Sequence, residues 1–498
     1  MALMQLPNEL LEKIVMHVLP EGFESVALTC RRIYALCTPF TEHHNKLRAR
    51  FRTFNYFRRQ GHPDFVIGTG FDLLTCIAVE PIVARYIREA DFDKDGIFRP
   101  CELVADAQPD GPVGRLLAQS PYLKQAGLDW QQYFAKIKEE EGPFGRWSPH
   151  AAAFLLTLLP NVEKLTLPQR LKPLESTDKL IDAIVRKARR PSSLPYDRPS
   201  LARCTTFGPT PSFHHSSQFD LDRAKPFLAL PCMRSFRGWS CVAIKDDGRT
   251  SSLAQHWSYN FGQTLEVVCF PGCYIDHVAI ADFLKHTPRL RSLTYSHMSK
   301  GDPEGPPQDW DICKFVTAIE REAGGHLMQL SITIAELRGS VLPGRASLRG
   351  CKRLQTLEFP LELAVCNITA AVACQLAKAK EPMSGGSTDH QAPKAPHGDC
   401  AYESSFTGNF VPASVFQLSL TSSGTDEHAK ALDVMFRDFA AEKDAWLPAL
   451  QEIHVSCPAR ADEAYKAQCA RLRAEMEELG VVCHLKEYES SIRFSWAD

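Results

Sequence analysis

From about residue 80 onward an apolar-x-x-apolar-x-apolar signal recurs, and it limits the possible folds more than any other feature. It appears as Ile87-x-x-Ala90-x-Phe92, Val162-x-x-Leu165-x-Leu167, Leu265-x-x-Val268-x-Phe270, Leu290-x-x-Leu293-x-Tyr295 and Leu327-x-x-Leu330-x-Ile332. It returns as Leu354-x-x-Leu357-x-Phe359, Val415-x-x-Leu418-x-Leu420 and Leu450-x-x-Ile453-x-Val455, with a weaker copy at Met233-x-x-Phe236. Short alternating runs of this kind read as strands with one buried face. Pro160, Pro231, Pro288, Pro448 or Gly325 stands two residues before the first apolar position in several copies. There a chain leaving a helix must turn into a strand. Helix-like segments at 151–159, 278–286, 312–323 and 426–446 lie upstream of copies.

Centre-to-centre spacings run 32, 25, 37 and 27 residues from Phe236 to Leu357, and 35 from Leu418 to Ile453. Jumps of 75, 71 and 61 residues elsewhere leave room for degenerate copies. A strand-plus-helix unit of this size cannot bury its own apolar face, so the copies are expected to stack into an α/β solenoid. The bland alternative is a non-repeat α/β domain in which strands and helices merely alternate.

The N-terminus has a different pattern. Residues 6–19, LPNELLEKIVMHVL, predict a helix with Pro7 at its first position and Glu9 at the positive end of the dipole. Leu10, Leu11, Ile14, Val15 and Val18 recur at helical spacing, and Pro20 and Gly22 punctuate the end. A second apolar stripe follows at Phe23, Val26, Ala27, Cys30, Ile33, Tyr34 and Cys37, closed by Pro39. It fits one helix or two joined by a kink. Leu6, Leu10, Leu11, Val15, Leu28 and Leu36 spread over several sides, more apolar surface than one internal face uses. So small a unit needs a cover, from its own chain or from a second protein.

Leu6-Pro7-x-Glu9-Leu10, Ile14, Val18-Leu19-Pro20, and then Leu28-Thr29-Cys30-Arg31-Arg32-Ile33-Tyr34 with Leu36, resemble the F-box in its fungal form. The resemblance covers about forty residues. One departure is that Ile33 follows the basic pair where the family usually has an aromatic, and Tyr34 comes one place later. The resemblance implies a small helical bundle that packs apolar surface on the Skp adaptor of a cullin–RING ubiquitin ligase. Leu6, Pro7, Leu10, Leu11, Ile14, Leu28 and Ile33 would carry that interface. The strand signal is similar, more loosely, to the irregular leucine-rich repeats that such proteins carry after the box.

The expected organisation is therefore α/β: an F-box over 3–45, a helical linker over 46–80, and an irregular leucine-rich repeat-like domain over 81–498. A flexible insertion is expected near 381–400, where the sequence lacks the apolar residues to order it. The expected role is substrate receptor of an SCF-type ligase, with a protein target on the repeats. The alternatives are an F-box scaffold without a degradation role and a calcium-responsive protein.

The calcium alternative rests on Asp91-Phe-Asp93-Lys-Asp95-Gly96 with Glu102, which has the spacing of an EF-hand loop, and on Phe98 at its apolar eighth position. Arg99 and Pro100 set a positive charge and a rigid ring beside those ligands, so the segment reads first as an acidic turn after a strand.

Composition narrows the remaining classes. A 498-residue chain with 44% hydrophobic and 23% charged residues is globular, and its net charge of −2 calls for neither nucleic acid nor an anionic membrane as main partner. Residues 46–59, KLRARFRTFNYFRR, read as an amphipathic helix with aromatics inward and arginines at the surface, against the alternative of a nucleic-acid face. The start lacks a basic signal-peptide region and no apolar run reaches the ~20 residues of a membrane span, so a cytoplasmic or nuclear location is expected. The seventeen cysteines are dispersed without a CxxC pair and read as reduced and buried. Cys269-Phe-Pro-Gly-Cys273 with His277 supplies three candidate ligands where a closed zinc site wants four, so no metal or cofactor is expected. No phosphate loop, G-x-S-x-G elbow or H-E-x-x-H helix occurs, and the pairs His43-His44 and His214-His215 lack an obvious orienting carboxylate. No catalytic residues are expected.

Overall fold

The computed structural model describes residues 5–56, 67–93, 95, 107–141, 148–168, 171, 174–190, 198–209, 218–244, 260–300, 308–379, 406–437 and 439–486. The expected insertion near 381–400, the His214-His215 pair and loop positions 96–102 lie outside them. Fourteen strands occur among the described residues. They are β1 (Thr53–Asn55), β2 (Glu89–Asp91), β3 (Lys164–Thr166), β4 (Thr206–Gly208), β5 (Phe219–Asp220), β6 (Ser235–Arg237) and β7 (Cys241–Ala243). The longer ones come next: β8 (Val267–Ile275), β9 (Ser292–Met298), β10 (Gln329–Glu336), β11 (Thr356–Pro360), β12 (Gln417–Thr421), β13 (Glu452–Ser456) and β14 (Val482–Lys486). The chain is α/β with parallel strands, and it divides into two compact units.

The first unit comprises Met1–Ser212, Arg223–Arg237 and Trp257–Phe261. It opens with helices α1 (Asn8–Val18), α2 (Phe23–Ala27) and α3 (Arg31–Phe51). Shorter helices lie between the strands: α4 (Gly70–Val79), α5 (Val83–Tyr86), α6 (Pro112–Ala118), α7 (Pro121–Gln125), α8 (Trp130–Glu140), α9 (Pro149–Leu155), α10 (Glu175–Ala188) and α11 (Lys225–Leu228). Its strands pair in the order β1-β2-β3-β4-β6, all parallel. Register aligns Phe54, Ala90, Leu165, Phe207 and Phe236 in one row across the ladder. All five are buried, and the Phe207 and Phe236 rings stack with centroids 5.7 Å apart.

Two of these strands were not anticipated. Strand β1 follows Phe51-x-x-Phe54-x-Tyr56, a copy of the same signal hidden inside the basic stretch. Residues 46–80, expected as a helical linker, thus hold the end of α3, a strand and α4. Strand β4, centred on Phe207, fills the 71-residue jump between Leu165 and Phe236.

The second unit comprises Phe213–Asp222, Gly238–His256 and Gly262–Asp498. Strands β8 to β14 pair in chain order, each parallel to the next, and β5 pairs β7, which pairs β8. The row Val268, Leu293, Leu330, Leu357, Leu418, Ile453 and Cys483 runs in register through seven strands and is buried throughout. Each buried leucine contributes roughly 1.5–3 kcal/mol over an exposed one. The row one residue on, Thr294, Ser331, Glu358, Ser419, His454 and His484, faces the other way, because successive side chains of a strand alternate. One face is therefore greasy and closed, and the other polar.

Helices α12 (His277–Leu284), α13 (Ile312–Ala323), α14 (Leu361–Ala379), α15 (Phe406–Phe410), α16 (Asp426–Phe436), α17 (Phe439–Trp446) and α18 (Glu463–Glu478) connect these strands. In α13 the Asp311 carboxylate accepts from the Lys314 backbone N–H at 2.9 Å and so caps the first turn. Ile312, Phe315, Val316, Ile319 and Ala323 then form its buried stripe. The helix-like stretch at 426–446 is two helices, α16 and α17, with a break between Phe436 and Phe439.

Candidate docking surface

The N-terminal module packs helices α1, α2 and α3 around one apolar cluster. In α1, Leu11 and Val15 are one turn apart and both buried. Val15 forms the module's core with buried Leu19, Phe23, Ile33 and Cys37, and Val26, Ala27, Cys30, Phe40 and Ile82 pack around them. The second stripe is two helices, α2 and α3, separated by Leu28 to Cys30. This break restarts the helical phase at Arg31. Ile33 and Cys37 then share the inward face, while Tyr34, expected on the stripe, turns outward and is 61% exposed.

Pro7 occupies the N-cap, one place before its expected position, with extended backbone at φ −56° and ψ 153°. Pro39 does not end the second segment. Helix α3 continues past it to Phe51, because His44, Leu47 and Phe51 extend the buried stripe beyond the proline, which itself lies exposed. A missing N–H on the water side interrupts the ladder without unseating the helix.

Contacts to α4 and α5 pin the module to the rest of the first unit. His44 Nδ1 lies 2.8 Å from the Tyr86 hydroxyl, and the Phe23 ring lies 4.6 Å from the His44 ring. Burial lowers the His44 pKa and pushes the Tyr86 phenol up to about 12, so both groups are neutral at pH 7. His43 Nε2 lies 2.6 Å from Glu80. At the far end of the module the Arg32 guanidinium donates to the Asn8 side chain at 2.8 Å and to the Leu6 carbonyl at 3.0 Å, which joins the first turn of α3 to the first turn of α1.

Around that junction the seven residues expected to meet an adaptor divide. Leu11 and Ile33, each 2% exposed, belong to the module's own core and are unavailable to a partner. Leu6 and Ile14 are half-buried. Pro7, Leu10 at 45% and Leu28 at 80% face outward. Met16 at 54% and Tyr34 add to them and were missed; Met16 lies off the Leu11/Val15 stripe, a signal that was available. Four of the eleven large exposed apolar side chains among the described residues thus lie within residues 10–34. This is the densest run of exposed large apolar side chains among the described residues.

Asp95 of the acidic loop packs against the start of α4. The Asp95 carboxylate accepts from the Gly70 backbone N–H at 2.7 Å, and Asp72 accepts from Gly68 and Thr69, so both carboxylates cap the start of α4. Asp95 and Glu141 are deeply buried. Burial, opposed by the Gly70 N–H and aided by the Asp72 charge, raises the Asp95 pKa to about 7. Burial and the charges of Asp95 and Asp72 raise Glu141 to about 8. No group of three or more His, Cys, Asp or Glu among the described residues is arranged to hold a metal ion. Cys273 of the Cys269/Cys273/His277 set directs its thiol to the Gly238 carbonyl at 2.9 Å. No described helix is long and apolar enough to cross a membrane.

In comparisons with known proteins, no family model and no curated protein matches the chain.

Proposed function

We propose that the N-terminal three-helix module is an F-box that docks on the Skp adaptor of a cullin–RING ubiquitin ligase. On this reading the remainder is an irregular leucine-rich repeat domain that receives a protein target. The single observation that carries the reading is the exposure of Leu10 and Leu28 beside a core that is already complete without them. Burying the exposed parts of two such leucines contributes at most ~1.5–3 kcal/mol each, one part of what a specific helical contact needs. The parallel ladder with one greasy row and one polar row is what stacked strand–helix repeats require. Function then arises from proximity: the receptor holds its target near a ubiquitin-carrying enzyme bound elsewhere in the assembly.

The test is capture of purified Skp adaptor by the full chain. A Leu10→Asp, Leu28→Asp double variant should keep its fold and lose capture. Undiminished capture by that variant refutes the assigned surface, and no capture by the unmodified chain refutes the F-box reading. If capture holds but target abundance ignores loss of the protein, it is a scaffold without a degradation role.

A further inference from the structure

Three helix ends meet within the first unit, and each brings one polar side chain. Glu140 ends α8, His150 lies in the first turn of α9, and Ser176 lies in the first turn of α10. Glu140 Oε1 is 2.6 Å from His150 Nδ1, and Nε2 of the same ring is 2.7 Å from Ser176 Oγ. The second Glu140 oxygen accepts from the His150 backbone N–H at 3.2 Å and from the Ser148 hydroxyl. Tyr133 donates to the His150 carbonyl at 2.9 Å and sets its ring edge-on to the imidazole at 4.9 Å. The imidazole is 3% exposed and fixed on every side, while Ser176 is half-buried.

The proton positions emerge by elimination. Burial works to raise the Glu140 carboxyl, but hydrogen bonds from His150 and Ser148 outweigh it and hold the group below its ordinary value. An ionised carboxylate only accepts, so Nδ1 carries a proton. With the ring neutral, Nε2 is an acceptor that the Ser176 hydroxyl can donate to. Hydroxyl to imidazole to carboxylate is the order that activates a serine as nucleophile. The first backbone bond inside α10 is Asp178 N–H to the Leu174 carbonyl, so the amides of Glu175, Ser176 and Thr177 precede the helical ladder. Such amides stabilise a developing oxyanion.

We propose that Ser176, His150 and Glu140 form an acyl-transfer site that acts on carboxylic esters. Ser176 Oγ forms a bond to the ester carbonyl carbon while its proton passes to His150 Nε2. The C–O bond to the alcohol breaks, and that alcohol leaves with the proton from Nε2. Water then attacks the acyl-serine, again giving a proton to His150, which returns it to Ser176 as the carboxylic acid departs. Glu140 keeps Nδ1 protonated and steadies the positive ring in both halves. This activity is separate from adaptor docking, since none of the three residues lies in α1 to α3.

The test uses the full chain with a fluorophosphonate probe and with p-nitrophenyl acetate, the adduct being located by peptide mass spectrometry. Ser176 should be labelled by at least one reagent. Ser176→Ala should abolish labelling, and Glu140→Gln, which removes the negative charge behind Nδ1, should slow it ~10²-fold or more. Absence of an adduct at Ser176 with both reagents overturns the proposal. That readout uses the unmodified chain and needs no variant to fold.

Discussion

The Glu21 carboxylate accepts from the Arg85 guanidinium at 2.6 Å, and it also accepts from the Asn161 amide at 2.5 Å, so one side chain ties the helical module to residues 64 and 140 positions away. Asn161 in turn donates to the Arg85 carbonyl at 2.7 Å. Burial opposes the charge on Glu21, but the hydrogen bonds from Asn161 and Arg85 prevail and its pKa is lowered. A module of three short helices gains a fixed seat from this contact.

Replacing Glu21 with Ala should therefore cost about 1–2 kcal/mol of unfolding free energy, the lower part of the range for hydrogen bonds to charged groups because the pair is partly open to water. A carboxylate whose pKa is depressed on folding gives stability above its unfolded value near 4.5 and loses it as pH falls through the folded value. Urea titrations at pH 7 and below about pH 4 should show the difference between the variant and the parent shrinking at the lower pH. An equal difference at both would show that the charge is not what holds the joint.

Neighbouring leucines of α1 should behave oppositely. Leu11→Ala empties part of the module's core and is expected to cost about 2–5 kcal/mol. Leu10→Ala removes an exposed side chain and should change stability by less than ~1 kcal/mol. Thermal unfolding of the two variants side by side decides whether the phase of α1 is as described. Comparable losses would place both residues in the core.

Asp95 and Glu141 make the first unit sensitive to base. Their folded-state pKa values of about 7 and about 8 lie above the ordinary 3.8 and 4.5. Between those limits the folded chain binds more protons than the unfolded chain, so this contribution is full below the unfolded values and is lost as pH rises toward 8. The loss should be at least on the order of 1 kcal/mol. Glu141→Gln, which stays neutral, should flatten the profile measured by denaturant unfolding between pH 5 and pH 8. A profile as steep in the variant as in the parent would mean that the pair is ionised in place.

In the second unit, Leu330 lies near the middle of the seven-residue apolar row, between Leu293 and Leu357. Leu330→Ala should cost about 2–5 kcal/mol and should speed amide exchange first in β9, β10 and β11. Uniform exchange across both units would show that the chain opens as one body.

The strands were legible because each needs only a few residues of alternating pattern to declare which side is buried. All nine copies of the signal fall on strands, and even β1 carried it in Phe51, Phe54 and Tyr56, masked by the arginines around them. The surplus of apolar residues in the first forty positions was legible in the same way. Which of them a partner could reach was not, because that depended on where α2 ended and α3 restarted, a matter of turn geometry at Leu28 to Cys30. One such restart sent Tyr34 outward and kept Ile33 in. Likewise the distances that separate Glu140, His150 and Ser176 along the chain hold no motif; three helix ends had to pack before the imidazole could lie between a carboxylate and a hydroxyl. Local pattern sets which face of an element turns inward, since burial of apolar groups acts residue by residue. Contacts between distant polar groups exist only once the elements carrying them have been brought together.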